Sequence, residues 1–172
     1  MFENAEVSLD ALPHVDTVEW QAMDARFVRR KLTEAVIGLI FTIVAVATLQ
    51  TILQSASGDV SVVWLWLIVV IFGTFSLSWP FISVPRQGYA IRDKDIIYKS
   101  GVFWRTVTAI PFNRIQHVEK SSTPLDRRFT IATLQLFTAG GSGGDLKIHG
   151  LSADTAESMR TFILQKVGSS IE

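Results

Sequence analysis

The chain has 172 residues, with 16 Lys and Arg against 16 Asp and Glu, 48% hydrophobic residues and no cysteine. The missing cysteines exclude a disulfide framework, a thiolate nucleophile and a Cys-based zinc site. The zero charge balance hides an asymmetry: residues 1–34 carry four basic and seven acidic side chains, whereas residues 86–172 carry twelve basic and eight acidic ones. A mildly basic C-terminal part suits the anionic leaflet of a membrane, and an ordinary solvated surface fits as well. Its cations are dispersed and interrupted by acids, which argues against nucleic-acid binding.

The N-terminal segment, residues 1–32, opens with Leu12-Pro13, and Val15 to Lys31 reads as a helix continuous with the first long apolar run. Trp20, Met23 and Phe27 form an apolar stripe at three- and four-residue spacing, with Arg26, Arg29, Arg30 and Lys31 at its far end. Two placements fit the stripe. Either Trp20 and Phe27 dip into lipid headgroups as interfacial anchors, or they pack on the C-terminal domain; the sequence does not choose between them.

Residues 33–85 read as a two-span membrane hairpin. Ala35 to Gly58 and Val60 to Pro85 contain no Asp, Glu, Lys or Arg, and only Asp59 separates them. A helical span needs roughly 20 apolar residues, so spans are expected near Ala35–Leu53 and Val62–Ile82. Trp64 and Trp66 mark one end of the second span and Trp79 the other, as indoles do at the two headgroup levels. Pro80 and Pro85 are expected to end that helix. Basic residues precede the first span and follow the second (Arg86, Arg92, Lys94), while the connection Gln54–Ser61 has none. The positive-inside rule then places both termini in the cytoplasm. A cleavable signal peptide ending near Ala45-Val46-Ala47 fits poorly, because apolar sequence continues and a second span comes directly after it.

After Pro85 the pattern shifts to short alternating segments. Strands are expected at Gly88–Arg92, Asp95–Lys99, Trp104–Ile110, Ile115–Lys120, Ile131–Ala139 and Leu146–His149, with a loop or one helical turn at Pro124–Phe129 and a hairpin turn at Gly140–Gly144. Ser152 is placed to cap a final helix whose inward stripe is Ala156, Met159, Ile163 and Val167. Residues 86–172 are thus six or seven antiparallel strands closed by one helix, a small open barrel with the helix over its mouth.

Three segments carry a resemblance: Gly88-Tyr-Ala-Ile-Arg-Asp-Lys-Asp-Ile-Ile-Tyr-Lys-Ser-Gly-Val-Phe103, Ile110-Pro-Phe-Asn-Arg-Ile-Gln-His-Val118 and Ala132-Thr-Leu-Gln-Leu-Phe-Thr-Ala-Gly140. With the two spans and Trp20…Asp24-x-Arg26-Phe27, they resemble the bacterial PH-like membrane proteins of the YdbS type over nearly the whole chain. The resemblance implies an α+β membrane protein: a two-helix transmembrane hairpin, then a PH-like antiparallel partial barrel capped by a C-terminal helix. It also implies a partner, a larger relative carrying several copies of the domain. Thr130 departs from the family's usual glycine.

No catalytic constellation accompanies these elements. His14, His117 and His149 lie in separate segments without metal-ligand spacing. Gly140-Gly-Ser-Gly-Gly144 lacks the Lys-Ser/Thr pair and the helix of a phosphate loop. Asp126-Arg127-Arg128 reads as a surface salt-bridged turn, and Arg92-Asp-Lys-Asp95 nearly cancels its own charge, which disfavours inositol phosphate capture. The expectation is a non-enzymatic, membrane-anchored interaction protein of the bacterial inner membrane, without cofactor or metal, bound to a paralogous PH-repeat membrane protein as a homo- or hetero-oligomer. The contact residues expected for lipid or partner are Arg26, Arg29, Arg30, Lys31, Arg86, Lys120, Arg127 and Arg128. The alternatives are an anionic-lipid or envelope-stress sensor, for which Lys120, Arg127 and Arg128 would read headgroups, and a subunit of a membrane enzyme with a shared site.

Overall fold

The structure, a computed structural model, describes residues 18–57, 62–138 and 146–169. His14, Asp59 and the 140–144 turn lie outside the described residues. Helix α1 spans Ala25–Ser57, 33 residues, and so runs about 50 Å at the usual rise per residue. A hydrocarbon core is only about 30 Å thick, so α1 reaches beyond a membrane by several turns. Its partner α2, Val63–Ser83 with 21 residues, is about 31 Å long and matches that thickness.

The two helices pack side by side. A side chain at Gly73 would place its Cβ 2.9 Å from Leu39, so glycine there permits the close approach. The Trp66 indole donates to Gln50 Oε1 at 2.8 Å across the far ends of the pair. Thr42, Thr51, Thr74 and Ser78 bond back to carbonyls of their own helices, which removes the cost of hydroxyls in an apolar setting. Pro80 does not end α2, contrary to the expectation from sequence. It lies inside the last turn, where the helix runs on to Ser83 and a 3₁₀ turn over Val84–Arg86 comes next.

Among the described residues, seven strands make two antiparallel sheets. The first has the order β1 (Gln21–Ala22), β2 (Gly88–Ile91), β3 (Asp95–Ser100), β4 (Thr106–Pro111); the second is β5 (Ile115–Ser121), β6 (Ile131–Thr138), β7 (Leu146–Ser152). A short helix α3, Pro124–Arg128, joins β5 to β6, and α4, Ala153–Ser169, closes the chain. Ile96, Ile131, Leu134, Leu136, Ile148, Leu151 and Ile163 are almost wholly buried. Over the facing parts of β6 and β7 the second sheet alternates, with Leu134, Leu136, Leu146 and Ile148 inward and Thr133, Gln135, Lys147 and His149 outward; Ile131 with Ala132 and Gly150 with Leu151 are buried in succession, beside an irregularity in the register. Helix α4 packs on this sheet through Ala156, Met159 and Ile163, and Ser152 Oγ accepts the Thr155 amide at 3.0 Å to cap it. Thr130 sits at φ 55°, the left-handed region that costs an L-residue roughly 1–2 kcal/mol. Its place explains the tolerance: the Thr130 amide donates to Arg127 O at 3.2 Å and its carbonyl accepts from Ala153 N at 3.1 Å, tying α3 to α4.

The N-terminal segment is where the structure departs from the expectation. The start of the expected Val15–Lys31 helix lies outside the described residues; within them helix begins at Ala25, and Gln21–Ala22 form a strand paired with Tyr89 and Gly88. Asp24 breaks strand from helix. Its amide donates to Gly150 O at 3.0 Å, and its carboxylate accepts the Arg26 amide at 2.8 Å. Met23 and Phe27 then enter the core, 8% and 4% exposed. Phe27 thus takes the second of the two placements, packed on the C-terminal domain, and the hairpin of α1 and α2 lies in the chain between β1 and its partner β2.

Gly150 makes this possible. It has φ +75°, and a Cβ there would lie 2.4 Å from the Phe27 ring. Gly150→Ala should cost about 2–4 kcal/mol from backbone strain and overpacking together. In a Phe27→Ala background only the backbone part, about 1–2 kcal/mol, should remain. Chemical unfolding in detergent followed by circular dichroism measures both; equal penalties in the two backgrounds would contradict the contact.

Candidate functional site

Where α1 leaves the sheets, a polar cavity of about 640 Å³ opens between its first turns and the outward face of the second sheet. Arg30, Lys31 and Glu34 line it from α1, Asp126 from α3, and Gln135, Lys147 and His149 from β6 and β7. The cavity exists because strand alternation turns these polar groups away from the core while Phe27, one turn earlier on α1, is drawn into it.

Asp126 organises one wall. It is 6% exposed, and Thr123 and Asp126 form a reciprocal capping box on α3, Thr123 N donating to Oδ2 at 2.9 Å and Asp126 N to Thr123 Oγ1 at 3.1 Å. Its other oxygen accepts from Arg30 Nε at 2.9 Å. Burial by itself would raise this carboxyl, but the Thr123 amide and hydroxyl and the Arg30 guanidinium outweigh it and hold the acid below its ordinary value. Arg30 also binds Glu34, which in turn meets Lys31 Nζ at 3.5 Å. Asp126 is thus a buried joint between α1 and α3, in contrast to the surface turn expected from the sequence. That joint was invisible there because its partners are 96 residues apart.

His149 stands on the cavity's rim with Nδ1 3.1 Å from Thr133 Oγ1. Desolvation, then the charges of Lys31, Lys147 and Arg30, push its pKa below the ordinary value. The ring therefore stays neutral at physiological pH, and protonating it below pH ~6.5 costs folding stability that is intact above that value. A neutral imidazole among cations offers hydrogen bonds to a polar or anionic group without adding charge of its own.

The structure sorts the expected contact residues. Arg30 is consumed by Asp126 and Glu34, Arg26 by Asp24 at 2.8 Å, and Lys120 by Glu157 at 2.8 Å. Arg86 donates to Ile82 O at 2.7 Å at the end of α2. Arg29, Arg127 and Arg128 are exposed and no ion pair holds them among the described residues. Arg92 pairs with Asp95 through two bonds of 2.7 and 2.6 Å, so that hairpin turn is self-neutralised. Trp64 is 74% exposed on α2, Trp79 stacks between Phe75 and Phe103, and the Trp20 ring lies 4.3 Å beneath the Lys99 ammonium. Sequence reasoning missed Glu34, Lys147 and His149 as a set, although outward positions of adjacent strands on either side of a glycine-rich turn signal shared surface. Among the described residues no group of three or more His, Asp or Glu is placed to hold a metal.

With this architecture in view, comparison with known proteins gives a decisive match: the family described as Bacterial PH domain matches residues 27–167. The chain belongs to the bacterial PH domain family. The match begins at Phe27, on the domain side of α1, and so takes in the hairpin together with the sheets. This bacterial PH domain chain is also similar, at 31% identity over 74 residues, to the UPF0699 transmembrane protein YdbS of Bacillus subtilis (strain 168). That segment covers 43% of this chain and 45% of the relative, so the aligned part spans under half the relative's length. No solved structure matches the chain. Together with two helices long and apolar enough to cross a membrane, these findings describe a membrane-associated PH-like protein.

The joint at Asp126 gives a test. Asp126→Ala should cost about 1–3 kcal/mol, the loss of the carboxylate half of the capping box plus one of the two carboxylate partners of Arg30. Asp126→Asn, which keeps a cap acceptor, should cost about half as much. Thermal unfolding in detergent reads both; a loss below about 0.5 kcal/mol for Asp126→Ala would show that the pair holds nothing.

Proposed function

We propose that this bacterial PH domain protein is a non-enzymatic scaffold of the bacterial inner membrane, with both termini cytoplasmic, serving as an accessory subunit that holds a larger PH-repeat membrane protein. The observation that carries the reading is β4. This strand pairs with β3 along its whole length, from Thr106 against Ser100 to Pro111 against Asp95, and no described strand pairs with its other side. Its sequence Thr-Val-Thr-Ala-Ile-Pro has no charge, and Val107 is 49% exposed. Soluble proteins blunt such edges with lysine, bulges or covering segments, because unpaired amides and carbonyls recruit another strand. Left open and uncharged, β4 suits strand addition by a partner, with main-chain bonds supplying affinity and alternate side chains supplying choice.

The basic residues flanking the spans support the cytoplasmic placement of the domain. The relative's printed name, a transmembrane protein, supports the membrane setting. The lipid-sensing alternative loses Lys120 to Glu157 and retains only Arg127 and Arg128 of its three expected readers.

Affinity purification of the full chain from native bacterial membranes should recover a stoichiometric membrane protein with several PH-like domains. Val107→Lys, which places a charge on the open edge, should lower that recovery at least about tenfold while leaving the unfolding temperature of the purified protein unchanged. Undiminished recovery with Val107→Lys would refute strand addition on β4, and recovery of no partner by the unaltered chain would refute the scaffold role itself.

A further inference from the structure

A ladder of aromatic rings climbs from the second span onto the folded domain. On α2 the Phe75 and Trp79 centroids lie 5.3 Å apart. Trp79 stacks on Phe103 at 6.0 Å with 29° between the planes, and Phe103 meets Trp104 edge-on at 6.4 Å. Phe103 and Trp104 belong to the loop between β3 and β4, and they are 78% and 86% exposed. The sequence pattern assigns Trp104 to a strand; the structure puts it in this loop. Two neighbouring large aromatics so exposed are costly in water, and a contiguous patch of this kind marks a contact surface.

The backbone is shaped to present them. Gly101 has φ +103°, and a Cβ there would lie 1.8 Å from Trp104 O. Only glycine lets the chain fold back so tightly beneath the pair. Beside the loop lies a notch of about 310 Å³ lined by Arg86, which also donates to Ile82 O, by Lys99 and Arg105, and by Pro85, Gly101, Thr106 and Val107. No acidic side chain lines it. Arg105 is exposed and has no partner among the described residues, and Lys99 is held over the Trp20 ring.

The occupant is set by position. Trp79 stands one turn before the end of a helix that matches a hydrocarbon core in length, where indoles settle at the headgroup level. Phe103 is stacked on it and therefore shares its depth. The cations of the notch then lie where lipid phosphates lie. We propose that the β3–β4 loop inserts Phe103 and Trp104 into the membrane interface and that the Arg86–Lys99–Arg105 notch binds the phosphate of an anionic phospholipid headgroup. The loop thereby fixes the tilt of the domain on the surface. This inference needs that α2 span a bilayer and does not need the partner proposed for the β4 edge, although Thr106 and Val107 of that edge line the notch.

The test uses the full chain in nanodiscs, and the absence of native cysteines makes single labelling sites available. An environment-sensitive fluorophore on the Trp104→Cys variant should be quenched by lipids bearing a shallow nitroxide and protected from aqueous iodide. The same label on Asn113→Cys, an exposed position on the turn between β4 and β5, should show the reverse. Iodide quenching at Trp104→Cys, with lipid quenching intact at Phe72→Cys in the middle of α2, would overturn the insertion while leaving the membrane span standing. For the notch, native mass spectrometry of detergent-released protein should show phosphatidylglycerol retained in preference to phosphatidylcholine. Each cation near an anionic headgroup contributes about fivefold, so Arg86→Gln, Lys99→Gln and Arg105→Gln together should lower that preference on the order of a hundredfold. An unchanged preference in the triple variant would refute the site. Displacement of phosphatidylglycerol by millimolar inorganic phosphate would show a free-anion site and refute the lipid assignment.

Discussion

One constraint governs this molecule: the first turns of α1 are core of the folded domain, and the rest of the same helix is a candidate membrane span. Phe27 is buried against a glycine at residue 150 that leaves room for nothing larger. One turn later Arg30 reaches a buried carboxylate on α3. An α-helix does not bend freely without proline, paired glycine and serine, or an inserted group, and α1 contains no proline. The domain is therefore held at a fixed angle to the helix and swings on no linker.

The same geometry ties the second span. A 3₁₀ turn over Val84–Arg86 and the single residue Gln87 separate the end of α2 from the start of β2, with Val84 buried, so both helices enter the domain without slack. The first strand is only two residues long, but it precedes the hairpin while its partner lies after it. In that sense the insertion couples folding of the sheets to formation of the hairpin, since β1 and Phe27 must be brought back to β2 and Gly150 across more than sixty intervening residues.

Much of this was legible in the sequence. The two uncharged runs of α1 and α2, the alternation of Leu134, Leu136, Leu146 and Ile148, and the cap and stripe of α4 each come from a period that one segment carries by itself. What escaped depended on contacts between distant segments. Trp20, Met23 and Phe27 have helical spacing, yet Gln21–Ala22 became a strand because an edge of β2 was free to pair and Asp24 interrupted the helix. Tertiary pairing overrode local pattern. The role of Asp126 was hidden for the same reason, since a charged triplet in a short turn looks solvated unless the arginine 96 residues earlier is known to lie beside it. Trp104 was misplaced because aromatic residues favour strands, and only the position of Trp79 shows why one is left in the open.

The central claim is that the domain is assembled from both sides of the hairpin. Two polypeptides decide it: residues 84–169 alone, and residues 18–34 joined to residues 84–169 by a flexible glycine-serine linker in place of the spans. Far- and near-ultraviolet circular dichroism with thermal unfolding should show a cooperative fold for the joined chain and none for the C-terminal part alone. If residues 84–169 unfold cooperatively by themselves, with the same midpoint as the joined chain, then β1 and Phe27 are not part of the core and the claim is wrong.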